Sequence, residues 1–262
     1  IRDRIDIDTD YNVTLSDTGT MSASALNTLN GKVPGTLTVT NAVTLTGTAS
    51  DIATAASADK AGTLALASNF GATVSTGAVD AADLITIYGQ TSATINATGV
   101  TGINGSAANV HTVIDHAQVN HDTNFTVTIS GTSAAAADLK AIDAITSGII
   151  TATGVETITG SLSDVGDVVD VDTNKGNAGQ QIDIDTDFNV TLSDTGTMSA
   201  SALNTLNGKV PGTVTVTNVV TLTGSASDIA ASASADNAGT LVLATNFGAT
   251  VSAGTVSASD LN

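Results

Sequence analysis

Residues 5–85 return almost unchanged at 182–262, displaced by 177 positions (182 − 5 = 177), with scattered changes such as Tyr11 to Phe188, Leu37 to Val214 and Lys60 to Asn237. Copying on this scale restricts the fold more than any single motif does. A chain that repeats itself must place each copy in an equivalent setting, and stacked coils provide such settings naturally. The sequence therefore divides into one long repeat copy, 5–181, and a partial second copy, 182–262, within one continuous solenoid over 1–262. It reads as an excerpt from a longer array. The opening Ile1-Arg2-Asp3-Arg4 lacks the apolar stretch of a secretory leader.

Shorter coils lie inside the long repeat, starting near Thr36, Thr63, Ser92, Phe125, Ile149 and Gln181, which sets one coil at about 30 residues. The stretch Thr36–Ala58 shows the grammar of one coil. Thr alternates with Leu or Val through TLTVTN and VTLTG, the period of two expected of strands with one apolar face. At Thr48 the period changes: T-A-S-D opens like a capping box, and Ile52 with the following alanines suits a short helix. The expected fold is an α/β repeat solenoid with parallel strands and one short helix per coil, and a right-handed parallel β-helix is the alternative. Nine coils, each climbing about 4.8 Å, would make a rod on the order of 40 Å long. Leu26, Ile52, Leu84, Val110, Leu139, Leu203, Ile229 and Leu261 hold matching helix positions and are expected to stack as an internal ridge. Gly62, Gly148 and Gly239 read as tight helix ends, and Val33-Pro34-Gly35 and Val210-Pro211-Gly212 as turns with Gly at the positive-φ place.

Composition supports thin layers. Aromatic residues are only 2% of the chain, so rings cannot fill a large globular core, whereas 41% apolar residues in regular patterns are too many for a disordered acidic chain. A net charge of −18 with seven Lys and Arg argues against nucleic acid and anionic membrane surfaces. No apolar run is long enough to span a membrane. Without cysteine there is neither a disulfide framework nor a thiolate metal site.

Three constellations could carry chemistry. Asp6, Asp8 and Asp10, repeated as Asp183, Asp185 and Asp187, lie on one face of IDIDTD, and Asp170, Asp172 and Asn174 open DVDTNKGN. Stacked strands would bring Asp170 or Asp172 near Asp183 or Asp185, and calcium, a hard cation that takes oxygen ligands, would relieve the repulsion and staple adjacent coils. A solvated acidic face is the plainer reading. The run from Asp170 to Gly176 resembles the start of an EF-hand loop, but Gln181 stands where the bidentate Glu belongs. His111, His116 and His121 are spaced by five, which on a helix turns each away from the last. The outward files Thr36, Thr38, Thr40 and Thr213, Thr215, Thr217 resemble ice-binding faces, although Thr is also a strong strand former. An enzyme needs one pocket of convergent, differently tuned groups. Acids copied along an array look like scaffolding or multivalent binding, so no catalytic role is expected.

The strings LNTLNGKVPGT, VTLTG with T/S-ASDI, and VTLSDTGTMSASALNTL resemble repeats in the giant secreted cell-surface proteins of cyanobacteria, including the very large motility-associated surface proteins of swimming marine Synechococcus. The resemblance implies an extracellular location and a surface-layer, adhesive or filament-forming role with self-association into fibres or layers. It implies no particular ligand. A cation-stapled adhesin binding glycans or surfaces, and ice binding, are the functional alternatives.

Overall fold

The computed structural model describes residues 8–173 and 181–252, which form an α/β repeat fold of short parallel strands and short helices. By contact the chain falls into two compact units: residues up to Gly105 with Asn109–Val127, and Ser106–Ala108 with residues from Thr128 onward.

The first unit runs β1 (Val13–Leu15), β2 (Gly19–Ser22), α1 (Ala23–Asn30), β3 (Leu37–Val39), β4 (Val43–Gly47), α2 (Ala49–Ala61), β5 (Leu64–Ala65), β6 (Gly71–Val74), β7 (Gly77–Asp80), α3 (Ala81–Tyr88), β8 (Ile95–Asn96), β9 (Val100–Gly105), α4 (Ala107–Ile114) and β10 (Val119–Asn120). Its strands pair in parallel as β1-β3-β5 and β2-β4-β6-β8-β10, while β7 pairs with β9. Strand β11 (Thr126–Ile129) falls at the division.

The second unit runs β12 (Ser133–Ala135), α5 (Ala136–Ile145), β13 (Ile150–Ala152), β14 (Thr157–Gly160), α6 (Leu162–Thr173), β15 (Ile182–Ile184), β16 (Asn189–Leu192), β17 (Gly196–Ser199), α7 (Ala200–Asn207), β18 (Val214–Val216), β19 (Val220–Gly224), α8 (Ala226–Ala238), β20 (Leu241–Val242) and β21 (Gly248–Val251). Here β12-β14-β16-β18-β20 and β17-β19-β21 are the parallel sheets, and β13 pairs with β15.

Register shows that individual turns differ in length. Val13 pairs with Leu37 and Gly19 with Val43, and the side-chain bonds that tie one turn to the next span 24 or 25 residues in many places. Turns thus vary in length, many of them being 24 or 25 residues, and each turn completed within the described residues carries one helix. In the first unit α1 and α2 follow two-strand turns and pack together, but the next turn inserts β7 before α3. Spacing gives the reason. Parallel strands climb about 4.8 Å per turn while packed helices need 8–10 Å between axes, so helices cannot follow one another indefinitely on one side. Where the extra strand β7 precedes α3, α2 meets both β7 and α3. Of the residues expected to form the ridge, Leu26, Ile52, Leu84, Val110, Leu139 and Leu203 are all buried, and α1, α2 and α3 pack in series in the first unit as α5 to α8 do in the second. Ile229 is half-buried, and Leu261 lies outside the described residues.

Caps follow the sequence more closely. Thr48 Oγ1 accepts from Asp51 N at 3.0 Å and donates to Asp51 Oδ2 at 2.8 Å, and Ser225 with Asp228 repeats the box. Gly62 ends α2 at φ 80° and Gly239 ends α8 at φ 79°, both left-handed as expected. Gly148 is not of this kind, because α5 closes at Thr146 in extended backbone. Val, Leu, Ile and Ala fill the interior, with Phe70 and Phe125 among the largest fully buried side chains.

Candidate functional site

The acidic segments separate in space and in kind. Asp6 and Asn174 lie outside the described residues, as does the side chain of Asp172. Asp8 and Asp10 are exposed, and Asp8 Oδ1 accepts from Thr9 N at 2.7 Å. In β15, Ile182 and Ile184 are buried while Asp183, opposite Thr151, is only half-buried, so the expected alternation holds. Asp185 Oδ1 bends back to accept from Thr186 N at 2.6 Å, and Asp187 is exposed.

Asp170 is a correction: it belongs to a helix, α6, and not to a DxD strand or loop. Val165, Val168 and Val169 are fully buried at helical spacing, and Ser161 caps Asp164 N at 3.1 Å. That periodicity outweighs the alternation of two aspartates. The Asp170 carboxylate is ion-paired with Lys209. Among the described residues, no group of three or more His, Asp or Glu side chains is arranged to hold a metal ion.

The histidines do not all diverge: His111 and His116 line one open pocket with Asp115, and His121 lies apart from it. His116 stacks on Tyr88 with ring centroids 3.9 Å apart, whereas His121 places Nε2 3.0 Å from Ile114 O and sets its ring edge-on to Phe125. The Thr files are interrupted. Thr38 lies between Thr14 and Ala65, and Thr215 between Thr191 and Val242. Thr40 and Thr217, just beyond their strands, donate to Leu15 O and Leu192 O one turn back.

A second set of contacts was not anticipated from sequence. Asn12 Oδ1 accepts from Thr36 N at 2.6 Å and Asn189 Oδ1 from Thr213 N at 2.9 Å. Asn27 and Asn204 donate to Asp51 O and Asp228 O, each at 2.8 Å. Asn41 and Asn218 each reach two carbonyls of the preceding turn. The same amides in both copies thus join turn to turn. The available signal is an Asn kept at the same place in both copies, beside or at the start of a strand for Asn12, Asn41, Asn189 and Asn218 and inside a helix for Asn27 and Asn204.

In the second unit a cleft of about 570 Å³ opens beside α6 and α7, with buried Met198 and Leu206 among its lining and Asp167, Asp170, Asp194 and Lys209 at its charged positions. No imidazole lines it, and the Ser199 hydroxyl accepts from Ala202 N as a helix cap. Beside it, Lys140 holds Asp164 and Asp167, each at 2.7 Å. These are groups that close helix ends and pair across turns. Comparison with family models, with curated proteins and with solved structures gives no match for this chain.

Electrostatics give an expected pH response. Burial raises Asp143 above the ordinary carboxylate value of 3.8, and burial and then the charge of Asp80 raise Asp83. Each binds its proton more tightly when folded, so its stabilising contribution is complete below the unfolded value and is lost as pH rises through the raised one. Asp164 has the opposite sign: hydrogen bonds from Lys140 and then Ser161 lower it, so its contribution stands above the ordinary value and fades as pH falls through the lowered one. Asp143→Asn should therefore raise the neutral-pH melting midpoint by roughly one or two degrees, a small effect because water screens a half-exposed group. It should also flatten the gain in stability from neutral pH down toward about pH 4. Thermal melts across that range check both, and an unchanged midpoint at neutral pH would remove Asp143 as a source of strain.

Proposed function

We propose that this chain is a structural repeat segment of a large extracellular surface or filament-forming protein, acting as a self-associating scaffold. One observation carries the reading: polar side chains that elsewhere serve as ligands or catalysts are engaged here in holding turns together, and the same ones recur in both copies. Asn12, Asn27 and Asn41 make the bonds that Asn189, Asn204 and Asn218 make. A binding or catalytic site would need some of these groups to converge on a ligand. The acidic surface favours solubility and excludes anionic partners. The resemblance to giant cyanobacterial surface proteins supports the location.

Electron microscopy of the purified chain at rising concentration tests the role, with sedimentation alongside. Open linear assemblies are the expected result. A concentration-independent monomer would defeat self-association, and labelling of intact cells with an antibody to the chain, if negative, would defeat the surface location.

A further inference from the structure

Residues 11–32 and 188–209 are the same sequence but for Tyr11 and Phe188, yet the structure shows this surface in two states. In the second unit it is covered. β16 pairs with β14, matching Val190 to Ile158 and Leu192 to Gly160, and α7 packs on α6. Asp194 Oδ2 accepts from Leu162 N at 2.7 Å, Lys209 pairs with Asp170, and Ser193 N donates to Gly160 O at 2.9 Å. Val190, Leu192, Met198 and Leu206 are buried as a result, none more than 3% exposed.

In the first unit the equivalent surface is open among the described residues. β1 and β2 are edge strands of their sheets, Val13, Leu15, Met21 and Leu29 are half-buried, and no described carboxylate pairs with Lys32. An edge with unpaired backbone groups beside partly exposed aliphatic side chains is a template for another strand.

We propose that the face formed by β1, β2 and α1 is a docking surface for a coil of the 149–173 type supplied by another repeat. The internal copy specifies the joint: Ile158 of the incoming coil lies opposite Val13 and Gly160 opposite Leu15, Leu162 N reaches Asp17, and Asp170 reaches Lys32. The contact is heterologous, so repeated use builds an open linear array and not a closed pair. The inference rests on the scaffold reading for its purpose and on the internal copy for its geometry.

The chain contains two methionines, Met21 and Met198, at equivalent places on the open and the covered surface, so each serves as a reference for the other. Peroxide oxidation followed by mass spectrometry should find Met21 reacting faster in the full chain; equal rates would overturn the proposal. Residues 149–181 joined directly ahead of Ile5, with everything after it retained, should then slow Met21 by about tenfold and leave Met198 unchanged. Lys32→Asp in that extended chain should restore much of the reactivity, and a Lys in place of the added segment's Asp170 should protect Met21 again. Rescue by the swapped pair supports docking even if either single change loosens the segment. Met21 remaining fast in the extended chain, with no effect of either charge change, would overturn it. If the full chain still formed linear assemblies in that case, the scaffold reading would stand and only this joint would fall.

Discussion

Ile52→Asp is expected to unfold the turns around α2 while more distant turns stay folded. Ile52 has no exposed surface, and α2 packs against α1, α3 and the strands β4, β5, β6 and β7. A carboxylate there has no room to reach water, so it must stay protonated or open the structure, a cost on the order of 4 kcal/mol or more. In a stack where each repeat contacts mainly its neighbours, such a loss remains local and need not melt the whole chain. Limited proteolysis should therefore produce new cuts between β3 and α3. Ile229→Asp, at the matching place in α8, provides the comparison: Ile229 is half-buried, so its cost should be about half as large. Equal effects at the two sites, or an unchanged digestion pattern for Ile52→Asp, would show that the buried face of α2 has been misassigned.

The sequence displayed its strands where alternation was strong. VTLTG at 43–47 matches β4, and the NVTLS and FTVTIS pieces contain β16 and β11. It concealed β2, β7, β12 and β17, whose sequences GTMS, GAVD and SAA combine Gly, Ala and hydroxyl residues with at most one large apolar side chain. Propensity is weak for such segments, and pairing with a neighbouring turn decides them. Missing those extra strands leaves the number of turns unchanged but hides that some turns hold three strands instead of two. The same omission hides the alternation of helix pairs with inserted strands.

The candidate site was legible in a different way. Alternation in IDIDTD correctly put Ile182 and Ile184 inside. It failed at Asp170, where three buried valines impose a helix. The ion pairs of Lys140 and Lys209 join residues 24 to 39 positions apart, so only knowledge of the turn length could have matched them. The Asn bonds were written in both copies, but they resembled ordinary turn residues, for which a local bond is the usual expectation.

Gly212→Ala should destabilise the second unit for a reason opposite to the one its Pro-Gly context implies. Neither Gly35 nor Gly212 has positive φ. At Gly212 an added Cβ would lie 2.7 Å from Phe188 O and also press on Asn189 Oδ1; at Gly35 it would lie 2.8 Å from Tyr11 O. These approaches are close because the glycine's own N–H donates to that carbonyl, at 3.2 Å for Gly212 and 3.1 Å for Gly35, while the neighbouring Asn holds the next N–H. A methyl group therefore forces one turn away from the next and weakens two hydrogen bonds, a cost of about 3 kcal/mol. That should lower the melting midpoint by several degrees. Asn tells steric crowding from backbone strain, since it tolerates the left-handed region better than Ala does. Gly212→Asn should be at least as harmful as Gly212→Ala. At Gly131, with φ 92° and open space where a side chain would go, Asn should be the milder of the two. If Asn were also the milder change at Gly212, close approach of the two turns would not be what keeps glycine there.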